Sequence, residues 1–156
     1  MVEFQLMTRA DFEVWRSVSI ANYAKDNVSS GKWTSAEAVS RSEEEFSTLL
    51  PDGLATPENY LRFIVNEQTS ERVGVVWYAL RREKGRSYIF VYDFEIYEEY
   101  RRRGYGTKAL LYLDGVVRQM GQDMIALRVF GRNRAARGLY EKAGYEETDI
   151  IMSKKL

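Results

Sequence analysis

Histidine and cysteine are both absent from this chain of 156 residues. Their absence excludes a Ser-His-Asp triad, a cysteine nucleophile, a disulfide framework and the usual His or Cys metal centres, so no metal is expected. Proton transfer is left to Asp, Glu, Tyr, Lys, bound water or the backbone. An excess of one charge is missing too: 23 basic residues face 23 acidic ones. Nucleic acid, which calls for a basic surplus, is therefore not an expected partner, and any anion site must be local. No stretch approaches the ~18 uninterrupted apolar residues of a membrane span, and "MVEFQLMTRA" lacks the apolar core of a signal peptide. A cytoplasmic location with no membrane partner is the expectation. With 45% hydrophobic and 29% charged residues, the chain has the composition of one folded unit, residues 1–156.

"VEFQLM" alternates as a short strand does, and Thr8-x-x-Asp11 resembles a capping box opening a helix over about 9–23. The polar stretch 25–39, "KDNVSSGKWTSAEAV", reads as a loop ending in the Thr34-x-x-Glu37 start of a second helix, which Pro51-Asp52-Gly53 terminates. From Tyr60 the period changes. "YLRFIVN", "RVGVVWYAL" and "SYIFVYDFEIY" are rich in β-branched and aromatic residues and are separated by turn signals, which predicts a three-strand antiparallel meander. Leu110, Leu113, Val117 and Met120 form a helical stripe stopped by Gly121, and "MIALRVF" reads as a buried strand. Asn133 can cap a short helix carrying Ala136, Leu139, Tyr140 and Ala143, and "EETDIIMSKKL" supplies a closing strand. The fold class is α+β, with a mixed, mostly antiparallel sheet flanked by helices. Its one clear crossover makes a parallel pair of the strands near Tyr97 and Met124.

"EEYRRRGYGTKALL", residues 98–111, joins a strand to a helix through a glycine turn, aiming backbone N–H groups and the positive end of a helix dipole at one point. An anion is the expected guest, although a solvated basic loop would use the same residues. A Walker A loop fails, because Thr107 and Lys108 stand in the wrong order. Gly104-x-Gly106-x-x-Ala109 does satisfy a dinucleotide fingerprint, and Arg132 suits a 2′-phosphate, so an NADP-binding oxidoreductase stays open. The antiparallel meander ahead of the turn counts against it.

A third pattern fits better. Arg101-x-x-Gly104-x-Gly106 resembles the acetyl-CoA signature [QR]-x-x-G-x-[GA] of the GNAT superfamily of N-acetyltransferases. "VFGRNRAARGLYEKAGYEE", residues 129–147, resembles that superfamily's second signature, an Asn and a Tyr on a short helix ending in K-x-G-[YF]. The resemblance implies a sheet whose parallel pair splays to admit CoA, acetyl-CoA as cosubstrate, and a small-molecule amine or a protein amino group as acceptor. It implies that backbone around Arg102, Arg103, Gly104, Tyr105, Gly106 and Thr107 cradles the pyrophosphate, with Arg101 at the motif position. It further implies that the strand at Phe94, Glu95 and Ile96 binds pantetheine, with a backbone N–H near Glu95 or Ile96 on the thioester carbonyl. Asn133 would touch pantetheine, and Arg134 or Arg137 would reach the adenosine phosphates. Tyr140 matches the proton donor to the departing thiolate, its competing role being core.

The acceptor's ammonium, with a pKa near ~10.4, must lose a proton, and without histidine the base is a carboxylate. Asp93 and Glu95, two apart on the strand beside the site, share a face; Asp93 in apolar "FVYDF" leads, with binding of backbone or of the acceptor's ammonium as its alternative. The lack of cysteine disfavours an acetyl-enzyme and favours direct transfer in a ternary complex. Trp15, Tyr23, Trp33 and Tyr60 read as core or loop anchors; Asp26, Glu37 and Glu43 to Glu45 could attract a cation or simply form an exposed face. A non-catalytic acyl-CoA sensor is the alternative of a different class. The acceptor, the acyl length and the choice between monomer and homodimer stay open.

Overall fold

A computed structural model describes residues 1–156. Strand β1 (Val2–Leu6) leads into helix α1 (Arg9–Ser29) and helix α2 (Ala38–Leu49), followed by β2 (Asn59–Asn66), β3 (Arg72–Glu83) and β4 (Arg86–Ile96). Helix α3 (Tyr105–Gln119), strand β5 (Ile125–Leu127) and helix α4 (Arg134–Lys142) complete the order. The sheet runs β1-β2-β3-β4-β5, antiparallel throughout except for the parallel pair β4 and β5.

Local chemistry explains most of the boundaries. Thr8 and Asp11 form the reciprocal capping box, each backbone N–H donating to the other's side chain at 3.0 and 3.1 Å. Helix α1 extends beyond the sequence expectation, into the stretch read as loop. Asn27 is the reason: it is buried, its amide donates to the Tyr23 carbonyl at 2.9 Å, and its own carbonyl receives the N–H groups of Lys32 and Trp33. A polar residue whose amide and backbone carbonyl find partners inside a helix does not break it.

The sheet separates two cores. Phe12, Trp15, Phe46, Leu61, Val75 and Trp77 pack between it and α1 and α2, while Ile64, Val76, Ile89, Leu113 and Val117 pack between it and α3. Across β4 the faces change hands at a β-bulge. Trp77 opposes Asp93 and Tyr78 opposes Val91, so Tyr92 is the extra residue. Val91 belongs to the α3 side, Tyr92 packs on the α1 and α2 side, and Phe94 and Ile96 return to the α3 side.

Two expected strands differ. Only Ile125–Leu127 of "MIALRVF" pairs, because β4 past its bulge no longer runs alongside β5. The closing strand over "EETDIIMSKKL" does not form: residues 146–156 carry no helix or strand and are exposed.

Gly74 secures the end of β4. A Cβ there would lie 2.2 Å from the backbone oxygen of Glu95, a contact no side-chain rotation relieves. Gly74→Ala is expected to destabilise the fold by about 2–3 kcal/mol through overpacking, read as a lowered denaturation midpoint at unchanged slope.

Candidate active site

The parallel pair ends at Val91 and Leu127, while β4 continues to Ile96, so its last five residues border an open slot. Hydrogen-bond parity shows which groups face it. The Ile89 N–H donates to the Met124 carbonyl beside β5, and the Tyr97 N–H donates to Val73 on β3, both at 2.9 Å. Counting back from Tyr97 in an antiparallel ladder turns Glu95 and Asp93 toward β3 and leaves the N–H and C=O groups of Phe94 and Ile96 toward the slot. Of the two N–H groups the sequence reading offered, that of Ile96 faces the slot and that of Glu95 does not. The bulge at Tyr92, which nothing in the sequence marked, sets this parity.

Below the slot the chain turns through Glu98–Tyr100 into α3. None of the backbone N–H groups from Arg102 to Thr107 has an acceptor within the chain. Gly104, the α3 N-cap, adopts φ +80°, and Arg102 is held at φ +58°, so the turn curls its N–H groups into a concave nest at a helix N-terminus. Gly106 lets α4 approach: a Cβ there would lie 2.9 Å from Leu139.

The arginine run divides. Arg101 Nε donates to the Ile96 carbonyl at 2.8 Å and its Nη2 lies 3.6 Å from Glu95, so this guanidinium fastens the turn to the end of β4. Arg103 lies over the Tyr100 ring, and Arg102 is exposed. On α4, the Asn133 Oδ1 accepts the Ala136 N–H at 3.2 Å, which leaves the amide nitrogen for another partner. Arg137 donates to the Gly131 carbonyl and pairs with Glu147, while Arg134 is exposed.

Asp93 and Tyr140, far apart in sequence, lie near enough for the charge of Asp93 to act on the phenol. Tyr140 lies edge-on to Phe94 and tilted against Tyr145. Burial, helped by the charge of Asp93, pushes its phenol up to about 12. Asp93 accepts a hydrogen bond from Trp15 Nε1 at 3.0 Å. Burial raises its carboxyl to about 6, Trp15 opposes that, and nearby Glu95 adds to it. Glu95 is raised more weakly, again by burial, with Arg101 pulling it down. Trp15 is thus more than the core residue expected, since a buried indole N–H needs an acceptor and finds it in Asp93. Tyr23 and Trp33 stack edge to face at 5.4 Å, and Trp33 joins Arg41, Glu44 and Glu45 around a depression on α2.

A carboxyl raised from 3.8 to about 6 binds its proton more tightly folded than unfolded, so stability falls as pH rises through that window. Asp93→Asn, whose amide oxygen still accepts from Trp15, removes this loss. The variant is expected to be more stable than the parent at pH 8 by about 2 kcal/mol, allowing for partial exposure, and equal to it near pH 4, in paired denaturant melts.

The comparisons agree with this architecture. The profile of the Acetyltransferase (GNAT) family matches residues 28–145. The uncharacterised N-acetyltransferase YycN of Bacillus subtilis is 39% identical over 151 residues, 96% of each chain. YdgE of the same organism, also an uncharacterised N-acetyltransferase, is 38% identical over 96% of this chain and 95% of its own. The crystal structure of YycN superposes with a TM-score of 0.94, at 36% identity, over 100% of this chain and 99% of that one. A more distant structure, AAC(6′)-Iy in complex with the bisubstrate analogue CoA-S-monomethyl-acetylneamine, shares the fold at a TM-score of 0.60 and 12% identity, over 100% of this chain and 98% of that one.

Proposed function

The chain belongs to the acetyltransferase (GNAT) family and is an N-acetyltransferase, and from that premise we propose that it moves acetyl from acetyl-CoA to a primary amine by direct attack within a ternary complex. The observation that carries this reading is the run of acceptor-free N–H groups from Arg102 to Thr107, set directly below a slot that exposes the backbone of Phe94 and the N–H of Ile96. A pyrophosphate fits the nest, with its charge matched by the helix dipole. An amide-bearing pantetheine chain fits an unpaired strand edge, which takes it as it would another strand. Asn133, at the α4 N-terminus, lends its free amide to the same chain. The distant fold neighbour in complex with a CoA bisubstrate analogue supports the same class of ligand. The acceptor is a small-molecule amine or a protein amino group, and the enzyme acts as a single domain in the cytoplasm.

In this reading the slot-facing N–H of Phe94 or Ile96 donates to the thioester carbonyl, where negative charge develops. Asp93, ionised above about 6, accepts the proton of the attacking ammonium directly or through water, and Glu95 adds negative charge on the same face. Tyr140 donates a hydrogen bond to the departing sulfur. A phenol at about 12 is a much weaker acid than a thiol at ~8.5, so it steadies the thiolate by hydrogen bonding while the proton released from the amine completes the exchange.

The pairing of ligand and chemistry is testable in one series. Acetyl-CoA is expected to raise the melting temperature and NADPH to leave it unchanged; the reverse would restore the dinucleotide reading. With a saturating amine, kcat/KM for acetyl-CoA should rise about tenfold per pH unit below the Asp93 value and level off above it. In Asp93→Asn that limb should vanish, and a limb that survives would remove Asp93 as the base.

A further inference from the structure

Arg81 is a cation without a counter-charge where charge is costly. It stands on β3 opposite Tyr88, half-buried, on the sheet face that Trp77 presents to α1 and α2. Its Nε donates to the Tyr92 hydroxyl at 2.6 Å, and its guanidinium carbon lies 4.9 Å from the centre of that ring. Nη2 is buried without an acceptor, and no carboxylate of the chain pairs with the group. Folded proteins normally pair a guanidinium in such a place, because a neutral hydroxyl does not offset its charge.

A second arginine borders the same face. Arg128 directly follows β5 and is also without an ion pair. It opposes the rise that burial and Glu45 impose on the Tyr23 phenol, which places it on the α1 and α2 side. Because β4 lies between β3 and β5, the rings of Phe90 and Tyr92, centred 4.7 Å apart, separate the two arginines. Asp93 comes next along β4, held on this face by Trp15, and Glu95 opposite Val75 shares the face. The surface is therefore acidic toward the end of β4 and basic toward its start.

An amine that gives a proton to Asp93 has to approach over this surface, since α3 covers the other face and Tyr140 meets Phe94 there. We propose that the acceptor also carries a carboxylate, bound by Arg81 and Arg128, so that the substrate is an amino acid with several bonds between its amine and its carboxylate. The proposal rests on the acetyl-transfer reading given above. Nη1 of Arg81 is the nitrogen that is neither buried nor occupied, and it receives the carboxylate. The spacing follows from Tyr92: Arg81 binds the far tip of its side chain, whereas Asp93 grows from the next Cα. The apolar stem of the acceptor lies along the Phe90 and Tyr92 rings. A diamine of the same length would set its second ammonium against two arginines, so the pair that selects the acid also rejects the base.

The test measures thiol release with β-alanine, γ-aminobutyrate and ε-aminocaproate, each against its own carboxamide, and with a panel of alkylamines and diamines. The longer acids are expected to exceed their amides in kcat/KM by about 100-fold, mostly through KM, as a hydrogen-bonded charge pair allows. Arg81→Met, which keeps an apolar stem beside Tyr92, should cut that preference to less than about tenfold. Arg128 is exposed, so Arg128→Met should fold like the parent and also reduce the preference, which decides the matter even if Arg81→Met fails to fold. Equal rates on acid and amide, better rates on diamines, or a preference that survives the substitutions overturns the proposal while leaving acetyl transfer intact. Thiol release elicited by no amine of the panel overturns the acetyl-transfer reading and the proposal with it.

Discussion

Replacing Tyr140 with Phe is expected to lower kcat about 100-fold, near the lower end for loss of a positioned proton-donating group, while KM for acetyl-CoA changes little. The lower end follows from its environment. Burial and the charge of Asp93 hold the phenol at about 12, so the hydroxyl contributes a hydrogen bond to developing charge on sulfur rather than a full proton transfer. Phe keeps the edge-on packing with Phe94 and the contact with Tyr145, so the melting temperature should stay where it is. That split separates catalysis from core packing: a purely structural Tyr140 would leave kcat unchanged. Loss of kcat together with a large fall in stability would likewise contradict the assignment.

Gly104→Val is expected to weaken acetyl-CoA binding about 100-fold or more. At φ +80° a β-branched residue is a backbone outlier, and no neighbour lies within 4 Å of the new Cβ, so the strain falls on the turn itself. A turn that relaxes re-aims the N–H groups from Arg102 to Thr107. Each hydrogen bond to a charged oxygen contributes about 1.5–3 kcal/mol, so losing two of them accounts for the expected drop. Arg102→Gly supplies the contrast. It removes a charge but suits a position already at φ +58°, so its Kd, measured calorimetrically, should rise less than tenfold. If the Arg102 variant proved as damaging as Gly104→Val, the guanidinium rather than the backbone would be the anion ligand.

The three-strand meander was legible because "YLRFIVN", "RVGVVWYAL" and "SYIFVYDFEIY" carry their signal in residue type, and the cap at Thr8 because four residues define it. The turn into α3 was legible for the same reason: Gly104 and Gly106 are local markers of a conformation the backbone needs there. What escaped was set by partners distant in the chain. Trp15 donates to Asp93 across 78 positions, and Gly74 is required only because the Glu95 carbonyl sits against it. The bulge at Tyr92 reverses which amides face the slot, yet "VYDF" looks like any regular strand. Arg101 matched a signature and turned out to fasten the turn to Ile96. The closing segment failed differently: "DIIMSKK" has a strand's composition, but its own chain supplies no pairing, and local sequence does not say which edge a strand will find.

Direct acetyl transfer to an amine is tested by initial rates of thiol release, measured while acetyl-CoA and the acceptor drawn from an amine panel are varied together. Release is expected to require the amine, to equal the N-acetylated product formed and to give intersecting reciprocal plots, as transfer within a ternary complex demands. Parallel plots would point to an acetyl-enzyme. Tight acetyl-CoA binding with no release on any amine would contradict the claim outright and leave the protein a sensor of acyl-CoA.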